Sequence, residues 1–169
     1  MYRLDRSNTR APNPNDPSLF VQTGSQRSNG YELGISGQVL PIWGIAGGFS
    51  RQKAIITSTT SAAASGTTVP LVPATTLSLW NKLQVAPRFS LALGVTHQTD
   101  MYAAITNTVK LPAFTRVDGG IYYSITGDVG TQVNLENIFN EKYYPLANGN
   151  SNITPGSPRA IRVLLTTRF

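Results

Sequence analysis

At the C-terminus, apolar and polar side chains alternate with a period of two. Ile161, Val163, Leu165, Thr167 and Phe169 fall on one side, and Ala160, Arg162, Leu164, Thr166 and Arg168 on the other. Side chains along an extended chain point alternately to opposite faces, so this segment predicts a strand with one apolar and one wet face. The same reading recurs upstream. Phe89, Leu91, Leu93, Val95, His97, Thr99 and Met101 oppose Arg88, Ser90, Ala92, Gly94, Thr96, Gln98, Asp100 and Tyr102. Val129, Val133 and Leu135 oppose Gln132, Asn134 and Glu136, and Val117, Ile121, Tyr123 and Ile125 oppose Asp118, Gly120, Tyr122 and Ser124. Leu77, Leu79, Leu83 and Val85 oppose Ser78, Trp80, Lys82 and Gln84; Tyr31, Leu33, Ile35 and Val39 oppose Glu32, Gly34, Ser36 and Gln38; Trp43, Ile45 and Phe49 oppose Gly44, Ala46 and Ser50. A partial strand from Met1 to about Arg6 makes eight. Eleven prolines and the lack of any 3.6-residue stripe leave little room for helix, apart from one possible turn at 140–143.

The connections sort by length. Leu40–Ile42, Ala86–Pro87 and Gly127–Asp128 are tight turns; 7–20, 58–73, 103–113 and 140–157 are long and rich in Asn, Ser, Thr, Gly and Pro. Short and long alternate strictly, the asymmetry of an outer-membrane barrel with short periplasmic turns and long outer loops. Composition agrees. Only 13% of residues are charged, against roughly a quarter in soluble domains. No stretch approaches the ~20 apolar residues of a spanning helix. The fold expected is all-β: an antiparallel transmembrane β-barrel. Met1-Tyr2-Arg3-Leu4-Asp5 is already strand-like and carries no apolar export core, so a slice of a larger barrel is expected. A small self-closing barrel with a structural or adhesive role is the alternative, and a soluble sandwich would need polar outward faces.

The net charge of +6 comes from ten Arg and four Lys scattered singly, with no basic cluster or base-stacking motif, which argues against nucleic acid. With no cysteine, thiolate chemistry and disulfides are excluded. The sole histidine, His97, lies on the lipid side of its strand, where no nucleophilic triad can form. Asp100, Asp118 and Glu136 are expected to share the lumen and to pair with Arg116, Arg162 or Arg88, as poorly solvated charges must. No catalytic or metal site is expected. Gly47-Gly48 and Gly119-Gly120 lie within strands and mark close approach rather than phosphate loops. Asn152-Ile153-Thr154 matches a glycosylation sequon by chance. Trp43, Tyr31, Phe114, Tyr123, Phe139 and Phe169 are expected on the outward face as aromatic girdles, while Trp80, Tyr102 and Tyr122 point inward.

Three motifs resemble a known family. Val133-Asn134-Leu135-Glu136-Asn137-Ile138-Phe139-Asn140-Glu141-Lys142-Tyr143-Tyr144 is similar to the N-(L/V)-x-N-L-F-D-x-x-Y-Y segment of TonB-dependent receptors, with Ile138 where Leu is usual. Pro155-Gly156-Ser157-Pro158-Arg159 resembles that family's P-G-x-P-R before the last strand, and Phe169 resembles its terminal aromatic. Leu111–Asp118, Gly24–Leu33 and Asp5–Arg10 resemble siderophore-receptor barrel segments. The resemblance implies a barrel of about 22 strands with an N-terminal plug. This chain would supply the last eight or so, with neither the plug nor a TonB-binding segment. It further implies uptake of ferric siderophores, with iron carried as the chelate and no cofactor bound directly. The implied partners are outer-membrane lipid and lipopolysaccharide, the TonB–ExbB–ExbD complex, and the barrel-assembly machinery, which would read Phe169. With Phe169 periplasmic, the long loops face outside. The inward residues near them, Trp80, Tyr102 and Arg116, are then candidates for ligand contact, since arginine suits an anionic chelate and aromatics its organic shell.

Overall fold

In the computed structural model, which describes residues 1–13 and 15–168, twelve strands form and no helix is present among the described residues. Eight of them make one antiparallel sheet: β1 (Tyr2–Pro12), β2 (Phe20–Leu40), β3 (Trp43–Ile56), β4 (Thr75–Ala86), β5 (Phe89–Gln98), β8 (Phe114–Ser124), β9 (Val129–Glu136) and β12 (Ala160–Thr167), each hydrogen-bonded to the next in that order. The other four pair locally in the loops, β6 (Met101–Tyr102) with β7 (Lys110–Leu111) and β10 (Leu146–Ala147) with β11 (Ile153–Thr154). The sheet is open, with β1 and β12 at opposite edges. A self-closing eight-stranded barrel would pair those two strands, so that alternative is not what the chain forms.

The register lines up the alternation across strands. Trp43 sits opposite Leu83, which faces Leu91, then Ile121, Val133 and Val163, one apolar row over six strands. The adjacent row on the other face, one residue along each strand, runs Gln38, Gly44, Lys82, Ala92, Gly120, Asn134, Arg162. Because side-chain period is two, a one-residue slip anywhere would exchange these faces, and no such slip breaks the ladders between β3 and β12 except at the tight turn between β4 and β5. Leu33, Leu93, Ile161, Val163 and Leu165 are all more than half exposed. An apolar face this broad and uncovered is the mark of a surface that meets something other than water. Even the polar intruder on that face is satisfied, as the Trp43 indole donates to Asn81 Oδ1 at 3.2 Å.

The buried core lies in the loops rather than behind the sheet. Ala11, Ile56, Ala63 and Ile105 form one cluster under Val69, and Met101, Ala103, Leu111 and Ala147 form another with Leu71, Val109 and Ile153. Four segments distant in sequence thus close over one end of the sheet.

Several boundaries differ from those expected. β1 extends to Pro12, β2 begins at Phe20 instead of Tyr31, and β3 runs on to Ile56. Beyond the apolar rows the ladder continues but both faces are wet, so hydropathy no longer alternates and the strand leaves no pattern to read. β5 ends at Gln98, and Met101 is buried in the loop core instead of facing lipid. Phe114 faces inward, opposite Gln98, and packs on Tyr143 with ring centroids 4.6 Å apart. No helical turn forms at 140–143; the chain turns three residues earlier, with the Asn140 N–H donating to the Asn137 carbonyl at 2.8 Å. Phe169 lies outside the described residues.

Candidate functional site

The wet face of the sheet carries an aromatic and cationic shelf. Trp80 on β4 lies flat over Gly94 on β5, where a Cβ would come within 2.5 Å of the indole. Only glycine admits a ring this close to the neighbouring backbone. Tyr122 similarly leans across Gly120, and its ring receives the Lys82 ammonium at 4.1 Å. Such cation–π contact holds the charge while leaving the ring edges open. Trp80, Lys82 and Tyr122 border an open cavity of about 470 Å³ floored by Gly44, Ala46 and Ala92. Lys82 was legible as an inward residue, but its place beside Tyr122 depends on cross-strand register, which no single segment reveals.

Between the Lys82 row and the second row beyond it toward the loops, the expected ion pairs appear. Arg116 Nε donates to Asp118 Oδ2 at 3.0 Å, and Arg162 pairs with Glu136 at 3.1 Å. Asp100 departs from expectation. It faces Lys110 in the β6–β7 hairpin at 2.7 Å, and that hydrogen bond raises the Lys110 ammonium above the ordinary lysine pKa. Arg88 donates instead to the Ile125 carbonyl at 3.3 Å.

The Arg116–Asp118 pair anchors a larger clasp. Arg116 Nη1 donates to the Tyr143 hydroxyl at 2.8 Å, and Asp118 Oδ1 accepts the Asn137 backbone N–H at 2.8 Å. Asn137, buried and in the left-handed region at φ 51°, donates from its side chain to the carbonyls of Glu141 and Ser157 and accepts the Glu141 N–H. Asparagine tolerates that backbone and supplies the three bonds at once. The Tyr143 ring lies where a Cβ on Gly156 would stand, and the Gly156 N–H donates to the Tyr143 carbonyl at 2.7 Å. The residues that carry the two sequence motifs are therefore the bolts fastening loop 137–159 to the sheet.

The three candidate contact residues do not form a single cluster. Trp80 and Arg116 share the wet face, with Trp80 in the row of Gly94 and Asp118. Arg116 has its guanidinium committed to Asp118 and Tyr143. Tyr102 stands apart, beyond the strand ends, where its carbonyl accepts the Leu71 N–H at 2.9 Å and Lys110 Nζ lies 5.1 Å from its ring. The loops around it are braced across: Asn107 Nδ2 donates to the Thr68 carbonyl at 3.0 Å and its Oδ1 accepts the Thr68 N–H at 2.9 Å. His97, on the apolar face as expected, has Nδ1 2.8 Å from Thr115 Oγ1. Among the described residues no three His, Asp or Glu side chains come together as a metal site.

Residues 1–140 match the family described as "TonB dependent receptor-like, beta-barrel". The chain belongs to that family. Its sequence is 24% identical over 179 residues to a protein described as a probable TonB-dependent siderophore receptor, PiuA, of Acinetobacter baumannii, and 27% identical over 175 residues to the catecholate siderophore receptor Fiu of Escherichia coli. Both alignments take in the whole of this chain but only 24% and 23% of those proteins, so it spans about a quarter of their length. The crystal structure of PiuA superimposes with a TM-score of 0.81 at 25% identity, over 96% of this chain and 24% of that one. The closed form of Fiu gives 0.79 at 25% identity, over 96% and 23%. TonB-dependent receptors are outer-membrane β-barrels of Gram-negative bacteria, and the uncovered apolar rows are the lipid face of such a wall. The aromatic and cationic shelf accordingly lies on the lumen side of a TonB-dependent receptor barrel.

Proposed function

We propose that this chain is the closing portion, about eight strands, of the barrel of a TonB-dependent receptor that takes up ferric siderophores. The observation that carries the reading is the segregation of faces over the whole sheet, Leu91, Ile121 and Val163 to one side and Lys82, Tyr122 and Arg162 to the other. Such a wall separates hydrocarbon from a wet interior, and the likeness of the whole chain to about a quarter of known siderophore receptors fits it. The long loops are extracellular in this reading and the tight turns periplasmic. Iron passes as its chelate, the protein binds no metal itself, and it performs no covalent chemistry. Work comes from TonB–ExbB–ExbD acting on the plug. Phe169 serves the barrel-assembly machinery, and the outer rows are bathed by outer-membrane lipid and lipopolysaccharide.

Among the candidate contacts, Trp80 offers an exposed indole to the lumen and Tyr102 a phenol among the loops, both suited to the aromatic shell of a catecholate-type chelate. Arg116, on the same wet face as Trp80 and apart from Tyr102, contributes as the cation that closes the clasp on loop 137–159. The test is uptake of radiolabelled ferric siderophores by an iron-starved strain lacking its own receptors and complemented with the complete gene. Accumulation that disappears on deleting tonB is the expected result. Uptake of no ferric chelate across catecholate, hydroxamate and mixed-ligand probes would sink the reading.

A further inference from the structure

On the lipid face, the strand cations are confined to one corner. Two residues beyond the Leu33–Phe49 pair, Tyr31 faces Arg51, and two further on Asn29 faces Lys53 on one side and Arg3 on the other. Parity therefore sets Arg3, Tyr31, Arg51 and Lys53 on the same face as Leu33 and Phe49, with Arg27 and Asp5 one row above. Every other Lys or Arg within the eight long strands falls on the opposite parity, so this face carries no cation anywhere toward the tight turns.

The corner is strongly unbalanced. Four cations, Arg3, Arg27, Arg51 and Lys53, meet one carboxylate, Asp5, which Arg3 and Arg27 already hold at 2.8 and 2.7 Å. Among the described residues Arg51 and Lys53 make no ion pair. They line a recess of about 840 Å³ together with Met1, Arg3 and Tyr31. Below it the Tyr31 and Phe49 rings lie 6.0 Å apart, Leu33 and Leu77 flank Phe49 in its row, and the next row toward the tight turns holds Ile35, Gly47 and Leu79. From Phe49 to Lys53 the strand climbs about 13 Å. Along that rise the surface passes from aliphatic to aromatic to cationic, the order of chemistry in a lipid from acyl chain to sugar to phosphate.

We propose that this corner binds the phosphorylated sugar headgroup of lipopolysaccharide, with Arg51 and Lys53 on its phosphate and an acyl chain along Leu33, Phe49 and Leu77. The assignment rests on the reading that the long loops are extracellular, because that sets the corner at the headgroup level of the outer leaflet. Arginine and lysine form charge-assisted bonds to phosphate, and the partial desolvation at a bilayer surface strengthens them. On the eight strands of this chain the site holds one lipid, because no equivalent group of cations recurs on this face among their described residues.

The test uses the intact receptor purified in detergent and stripped of lipid, then titrated separately with defined lipopolysaccharide, phosphatidylglycerol and a neutral phospholipid, bound lipid being counted by native mass spectrometry. Wild-type receptor is expected to retain lipopolysaccharide in preference to both others. Arg51→Ala with Lys53→Ala should lower that retention by about tenfold or more, the size of losing two charged hydrogen bonds, while Arg51→Lys with Lys53→Arg restores it. Ferric-siderophore uptake by the alanine variant, measured in the same cells, is expected to match wild type because both residues face away from the lumen. Equal retention by the alanine variant, or equal retention of phosphatidylglycerol and lipopolysaccharide by wild type, overturns the proposal whether or not uptake occurs. Loss of uptake in wild type would instead strike the receptor reading and leave the lipid counts to be judged separately.

Discussion

Asp118 accepts the backbone N–H of Asn137 at 2.8 Å, a bond between two side-chain-buried residues that ties β8 to the start of the long loop after β9. The carboxylate's other oxygen holds Arg116, so one anion serves both a loop and a cation. Breaking a buried pair from one side leaves a charge without a partner, which costs more than the pair contributes.

Asp118→Ala should therefore destabilise the intact receptor by about 2–4 kcal/mol, tempered because Arg116 is partly exposed. Asn137→Ala, which removes three bonds but no charge, should cost about 2–3 kcal/mol. Heat-dependent electrophoretic mobility of the folded barrel measures both. If Asp118→Ala unfolds at the wild-type temperature, the clasp is ornamental.

Gly94 should be intolerant of any side chain. A Cβ there would meet the Trp80 indole at 2.5 Å, so Gly94→Ala must lift the ring off the strand. The expected cost is about 1–3 kcal/mol, as for other overpacked sites. Trp43 and Trp80 are the two tryptophans, so in a Trp43→Phe background the emission reports Trp80 alone. A shift of that emission to longer wavelength in Gly94→Ala is expected, together with weakened quenching by an added ferric chelate. Unchanged spectra would mean the indole does not rest on Gly94.

How much of this was legible in the sequence depended on whether two different solvents touched the two faces. Where they did, as at Phe89–Gln98 and Ala160–Thr167, alternation alone located the strand and sorted its sides. Where both faces are wet, as at Phe20–Gly30, a strand of the same ladder shows no period, and alternation locates its start only at Tyr31. Met101 is out of reach of parity because it sits past the end of β5, where burial is decided by loop packing between segments far apart in sequence. Phe114 is different: it shares the parity of Arg116 and Asp118, so the alternation within β8 itself sets the ring inward, against an expectation drawn from an aromatic at a strand end. The motif around Asn137 announced itself as a pattern, but its work as a clasp needed Asp118, nineteen residues upstream, to be brought beside it.

Because the chain contains no cysteine, single cysteines can map the two solvents directly. In native membranes, Cys at positions 91, 93, 121 and 163 should resist a membrane-impermeant maleimide once the lumen has been opened to it, whereas Cys at 90, 92, 120 and 162 should react. Along 22–29 both parities should react, since there β2 has left the hydrocarbon. Equal labelling at 91 and 92 would refute the assignment of faces.

The same logic sets the energetic cost of a charge. Leu93 lies on the lipid face, one row from Trp43's and two from that of Phe49, and is half exposed. Leu93→Arg should cost about 2–4 kcal/mol, the range for arginine near the midplane of a membrane barrel. Ser90→Arg, which enters the wet lumen, should cost less than about 1 kcal/mol. Comparable losses for the two variants in urea unfolding from lipid vesicles would show that no hydrocarbon contacts Leu93.

The loops make the last claim open to test. Asn107 and Thr68 exchange two hydrogen bonds across segments 39 residues apart, and Ile105 beside them is buried against Ile56 and Ala63. A loop stapled this way presents Tyr102 in one place instead of many, and fixing such a residue before binding reduces the ordering cost of ligand capture. Asn107→Ala removes the staple but leaves Tyr102, Trp80 and the barrel wall intact. Limited proteolysis on whole cells should then cut within 57–74 or 103–109 several-fold faster, while the barrel's unfolding temperature stays within a few degrees of wild type. Ferric-chelate affinity should fall with it, by about three- to tenfold for the loss of roughly one net hydrogen bond's worth of order. Faster cutting with undiminished affinity would show that the loops are held for stability alone and that Tyr102 takes no part in capture.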